Sequence, residues 1–185
     1  MLSRGGLTFV SGWSAALRRR DLSTVVVGPE MLKDHLPREV LITREDPPFT
    51  GPAAAVCAGV RHLEEQSLRP DQLLLLSVDT LDPDQVLDWL AENASAHRAL
   101  IPCDTQGRLQ VLTSVVDAGW LRRRVLTLVP GEEAGRPVRW LLEDMPAEHP
   151  VMPEGLGSDV DTAVDAQIHG VQLPDGPSAR PHGQS

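Results

Sequence analysis

Thr43-Arg-Glu-Asp-Pro-Pro-Phe-Thr-Gly-Pro-Ala-Ala-Ala-Val-Cys-Ala-Gly-Val60 leaves a short apolar strand, crosses a proline-fixed loop and enters a helix built almost wholly from small residues. Pro47 and Pro48 fix an extended backbone, Gly51 can take a positive φ, and Pro52 suits the first turn of a helix. The segment therefore reads as strand, loop and helix start, with the helix held at a defined place and its first amides free. Free amides at a helix start attract anions. The same pattern also fits an ordinary strand-to-helix connection, so the rest of the chain has to decide what it does.

Outward from this segment the chain alternates between strands and helices. The spacing predicts a helix over 8–20, with Phe9, Trp13, Ala16 and Leu17 on one side, and a strand over 24–27. A short helical or irregular piece around 31–35 and a strand over 40–43 lead into the opening segment. Leu73-Leu-Leu-Leu76 with Val78 is the run expected of a parallel strand buried on both faces. Helices are expected over 84–94, 118–126, 138–142 and 162–169, and a strand over 99–102. Gln106-Gly107 marks a turn between Ile101 and Leu109, a hairpin or an excursion into a mixed sheet. Strands separated by helical segments imply a mainly parallel sheet between two helical layers.

With 185 residues, 41% hydrophobic and 23% charged, the chain has the size and composition of one globular domain. That domain is expected over 1–172, and the Pro-, Gly- and Ser-rich residues 173–185 are expected to be a disordered tail. No apolar run is long enough to cross a bilayer, and Arg18 to Arg20 interrupt any secretory leader, so a cytoplasmic location is expected. The net charge of −9 argues against a nucleic-acid groove. Arg18 to Arg20 and Arg122 to Arg124 are read as solvated residues at helix ends. Cys57 and Cys103 lack metal-ligand or disulfide spacing and read as buried small hydrophobes. The six histidines show no metal-ligand spacing, no serine has a nucleophile-elbow context, and the four tryptophans fall within helical patterns as packing residues.

Carboxylates at strand ends are the chemical candidates, because open α/β sheets gather ligands outside the carboxyl ends of their strands. Asp79 directly follows the leucine-rich strand, where a carboxylate can hold Mg2+ against phosphate oxygens. Asp-Thr-Leu-Asp-Pro also resembles a turn into a helix, with Asp82 the better cap. Asp159 and Asp161 precede the last expected helix, where Asp161 or Thr162 could equally cap it. Glu45 and Asp46 close the set, in a loop that could as well be solvated.

Four pieces in order, Val25-Val-Val-Gly-Pro29, Arg44-Glu-Asp-Pro-Pro-Phe-Thr-Gly-Pro-Ala-Ala-Ala55, Leu74-Leu-Leu-Ser-Val-Asp79 and Ser158-Asp-Val-Asp-Thr162, resemble the molybdenum cofactor guanylyltransferase (MobA-like) family of nucleotidyltransferases. The resemblance implies a Rossmann-like three-layer α/β/α sandwich and Mg2+-dependent transfer of GMP from GTP to molybdopterin. It implies that Asp79 is the catalytic, metal and nucleotide ligand, that Gly28, Glu45, Asp46 and Gly51 lie beside the nucleotide, and that Asp161 is a metal ligand toward the product side. It also implies small-molecule partners alone, GTP and molybdopterin, acting on a monomer or homo-oligomer. Within the scaffold, another nucleotide or acceptor is an alternative, as is an inactive homologue acting as a binding or scaffold protein. The family begins with a strand and a glycine-rich loop of the form Leu-Ala-Gly-Gly-x-Ser-x-Arg-Met-Gly-x-Asp-Lys. Residues 1–9 match the segment that follows it, so the expectation is a recorded start that falls too late. The sheet is then expected to be interrupted between strands 24–27 and 73–78. The family's proline two residues after the metal aspartate is replaced here by Leu81 in Thr80-Leu81-Asp82.

Overall fold

The structure, a computed structural model, describes residues 3–4, 7–79 and 82–156. A short antiparallel pair, β1 (Ser3–Arg4) and β2 (Leu7–Thr8), leads into α1 (Phe9–Arg18). Val10, Trp13, Ala16 and Leu17 recur at helical spacing and are all buried. Beyond the end of α1, Arg19 and Arg20 each meet Asp84 at 2.6 Å, and Arg20 also bonds Asp88. Two of these arginines thus tie helix to helix instead of standing as solvated caps.

β3 (Val25–Val27) is followed by a 3-10 turn over Glu30–His35 and by β4 (Leu41–Thr43), which pairs with β3 in parallel. α2 (Pro52–Glu65) then crosses back. Its small residues explain its position, since a Cβ on Gly59 would meet Val27 Cγ2 at 3.3 Å. Ala53, Ala54, Cys57 and Val60 supply its buried face. β5 (Gln72–Leu76) follows, then α3 (Pro83–Asn93), which is capped by Asp82 accepting from the Gln85 amide and buries Val86, Leu87 and Leu90.

β6 (Ala99–Leu100), β7 (Thr113–Asp117), α4 (Ala118–Thr127), α5 (Val138–Leu141) and β8 (Ala147–Glu148) complete the order. Between β6 and β7 lies the turn expected at Gln106-Gly107. Asp104 accepts from the Gln106 and Arg108 amides at 2.9 and 2.8 Å, Gly107 takes a φ of +79°, and Cys103 bridges Leu109 antiparallel. β7 accordingly runs antiparallel to β5 and β6, while β6 and β8 are parallel, in the order β5-β7-β6-β8.

Side chains along β5 alternate between two cores, as a pleated strand requires. Leu73 and Leu75 pack with α2, α4 and α5 around Cys57, Val60, Leu121, Val125 and Leu141. Leu74 and Leu76 pack with α1 and α3 around Trp13, Leu17, Val86, Leu87 and Leu90. The result is a mixed sheet between two helical layers. Trp13 is a core residue, as expected of it, and so is Cys57, whereas Cys103 is partly exposed. Among the described residues β3 pairs only with β4 and β5 only with β7, so the ladder is not continuous from one sheet to the other. No helix among the described residues is long and apolar enough to cross a membrane. Asp159, Asp161, the helix expected over 162–169 and the tail lie outside the described residues.

Candidate functional site

The candidate residues follow the carboxyl ends of β3 and β4, which run parallel, and of β5. Gly28 ends β3, where its amide donates to the Thr43 carbonyl at 2.9 Å. A Cβ there would lie 2.9 Å from Leu32 Cδ1, so a larger residue would have to displace the end of that side chain. Thr43 then releases the chain into the 44–51 loop, which is internally tied. Glu45 Oε1 accepts from the Phe49 amide, and the Thr50 hydroxyl donates to the Pro47 carbonyl, each at 2.9 Å. Asp46 stands exposed beside them. Gly51 takes a φ of +103°, a left-handed position that glycine alone enters without strain.

The helix start that the sequence presents as a set of free amides is partly occupied. The Ala53 amide donates to the Arg136 carbonyl at 3.3 Å, and the Gly135 amide donates to the Thr50 carbonyl at 2.7 Å. Residues 129–136 thus lie against the start of α2, and the anion site inferred from the opening segment is narrower than the sequence suggests. Glu133 anchors this second loop. It is buried and meets Arg61 of α2 at 2.6 Å. Burial works against its charge, but nearby backbone amides and the Arg61 guanidinium outweigh that cost and hold its carboxyl below the usual range. Burial also pushes the neighbouring Cys57 thiol up to about 11, with the Glu133 charge adding to the effect. Cys57 is therefore a packing residue and not a nucleophile.

Asp79 follows β5 by three residues, after the Ser77 amide has donated to the Leu112 carbonyl at 2.9 Å. Its Oδ1 is buried and has no hydrogen-bond partner among the described residues. That separates it from Asp82, whose carboxylate is spent on capping α3. Of the two readings open for Asp79, a turn aspartate or a ligand, an unsatisfied buried carboxylate oxygen favours the second, because such an atom is costly unless something binds it. Among the described residues no three histidine, cysteine or acidic side chains gather to hold a metal. Gly28, Glu45 and Gly51 thus lie in the segments that follow β3 and β4, Asp46 is exposed in the same loop, Asp79 lies after β5 of the other sheet, and Asp161 lies outside the described residues. A cavity of about 660 Å³ opens at the other end of β5, lined by Glu64, Arg69, Gln72, Asp117 and Arg122, away from these groups.

The model of the MobA-like NTP transferase domain matches residues 1–150. The chain belongs to this family. As a MobA-like chain it is a nucleotidyltransferase of Rossmann-like fold. Among solved structures it is similar to molybdopterin-guanine dinucleotide biosynthesis protein A from Archaeoglobus fulgidus, with 17% identity, a TM-score of 0.62, and coverage of 90% of this chain and 86% of that one. It is likewise similar to a 4-diphosphocytidyl-2C-methyl-D-erythritol synthase, with 19% identity, a TM-score of 0.60, and coverage of 89% and 88%. At these identities the likeness is one of fold. No curated protein sequence matches the chain.

Reasoning from sequence alone passed over Phe49, Arg61, Glu133 and Arg136. The signal for the last two was Pro130-Gly-Glu-Glu-Ala-Gly-Arg-Pro137, a turn-rich stretch that sequence reading left between two helices without a role.

Proposed function

We propose that this MobA-like chain transfers a guanylyl group from GTP to molybdopterin, with Mg2+ held at Asp79. The observation that carries the reading is the Oδ1 of Asp79 after β5, buried and without a hydrogen-bond partner among the described residues. A carboxylate oxygen is the hard ligand Mg2+ takes, so this residue fits the ion. Bound there, Mg2+ would offset phosphate charge on the nucleotide. The chain's own part is positioning. Gly28 and the 44–51 loop, with Glu45, Asp46 and Gly51, border the nucleoside, and Asp161 serves the metal on the acceptor side. A phosphate oxygen of the acceptor attacks the α-phosphorus of GTP; the new phosphorus–oxygen bond forms as the bond to the bridging oxygen breaks, and pyrophosphate leaves. Guanine and molybdopterin are taken as the pair from the MobA-like family to which the chain belongs.

The test supplies the full chain with molybdopterin, Mg2+ and a nucleotide radiolabelled at the α-phosphorus, in separate GTP, CTP and ATP reactions. Label moving to molybdopterin from GTP alone is the expected result. Transfer from CTP in preference would overturn the guanylyl assignment, and no transfer from any of the three would favour a non-catalytic homologue.

A further inference from the structure

Phe49 is the most exposed large hydrophobic side chain described, with 90% of its surface open. It is one of two phenylalanines in a chain without tyrosine, so aromatic rings are scarce. Packing does not explain it, since a ring this exposed contributes almost nothing to the core. Its backbone is also unusual: φ is +65°, a conformation bulky residues rarely adopt. The 44–51 loop nevertheless fixes it there, through the Phe49 amide on Glu45 Oε1 and the Thr50 hydroxyl on the Pro47 carbonyl. The Arg44 guanidinium lies 5.0 Å from the ring centroid, a planar cation beside an aromatic face. Strained, exposed and internally braced residues of this kind are characteristic of ligand clamps.

We propose that Phe49 and Arg44 form a stacking platform for a planar heteroaromatic ring on the loop that follows β4, a role that rests on the transferase reading above. The ring stacks on Phe49, and Arg44 donates N–H groups to the carbonyl or ring-nitrogen acceptors such a heterocycle carries. Two molecules of the reaction bring a ring of this chemistry: the nucleotide through its base, and the acceptor through its pterin.

Calorimetry on the full chain separates them, with GMP, CMP and free pterin as probes and ribose 5-phosphate as a ring-free control. Phe49→Ala keeps a Cβ and the same backbone demand, and its melting temperature is expected to match that of the parent. Loss of stacking weakens binding of the ring-bearing probe by about 5- to 150-fold while ribose 5-phosphate is unaffected, and Phe49→Trp restores it. An effect on the nucleotides alone assigns the platform to the base, and an effect on pterin alone assigns it to the acceptor. Arg44→Gln weakens the same probe. Equal affinity of parent and Phe49→Ala for every probe the parent binds would overturn the platform and leave the transferase reading standing. A parent chain that binds none of the ring-bearing probes would overturn both.

Discussion

The four-stranded sheet and the β3-β4 pair are held in different ways. In the four-stranded sheet β7 pairs on both sides and buries Thr113, Ser114, Val115 and Val116 in succession. In the two-stranded sheet β3 and β4 share one ladder of three residue pairs, and all six residues are only half-buried. α2 is what fastens this smaller unit to the rest, through close contact at Gly59 on one side and a shared core with α4 and α5 on the other. Stability is therefore concentrated in one part, and the 44–51 loop belongs to the other. Ligand-binding loops are commonly drawn from the less stable parts of a fold.

Core truncation separates the two sheets most severely. Leu121 of α4 is fully buried, so Leu121→Ala costs about 2–5 kcal/mol, whereas Ile42→Ala in half-buried β4 costs about 1 kcal/mol. Urea denaturation of both variants measures the difference, and equal losses would erase the distinction between the sheets.

A smaller effect is expected at the ion pair that fixes the 129–136 loop to α2. Glu133 has a folded carboxyl held below its usual range, so its contribution to stability is present above the unfolded carboxyl range and is lost as pH falls through the folded value. Glu133→Gln removes about 1–3 kcal/mol at neutral pH by leaving the partner groups unmatched, and flattens the acid limb of stability. Thermal melts from neutral to acid pH measure this; parallel curves for parent and variant would show that Glu133 bears no such load.

Much of the architecture was legible because period and punctuation agree with packing. Leu73-Leu-Leu-Leu76 marked β5, Trp13 and Leu17 marked the buried face of α1, and Asp82-Pro83 marked the start of α3. β7 went unassigned because Thr-Ser-Val-Val-Asp is buried on both faces and shows no alternation to read. The arginines after α1 misled for a different reason: Asp84 and Asp88 lie more than sixty residues away in sequence, so only the fold brings them together. At the candidate site, Asp79 could be singled out by its place after a strand, but its unsatisfied oxygen could not. The Arg136 carbonyl on the Ala53 amide was equally invisible, since backbone acceptors carry no sequence signature.

The smallest expected effect sharpens the contrast between two neighbouring acids. Asp82→Ala removes the α3 cap at a cost of about 1 kcal/mol and leaves nucleotide binding unchanged. A binding defect in this variant, measured by calorimetry, would mean that the cap and the binding site are one unit.

Asp79 is the residue on which metal and nucleotide binding turn, and calorimetric titration of GTP into the parent chain and Asp79→Asn, with and without Mg2+, measures its part. Binding by the parent is expected to depend on Mg2+ and to be weakened in Asp79→Asn by at least about tenfold, a loss of about 1.4 kcal/mol or more. Equal Mg2+-dependent affinity in the two proteins would contradict this role.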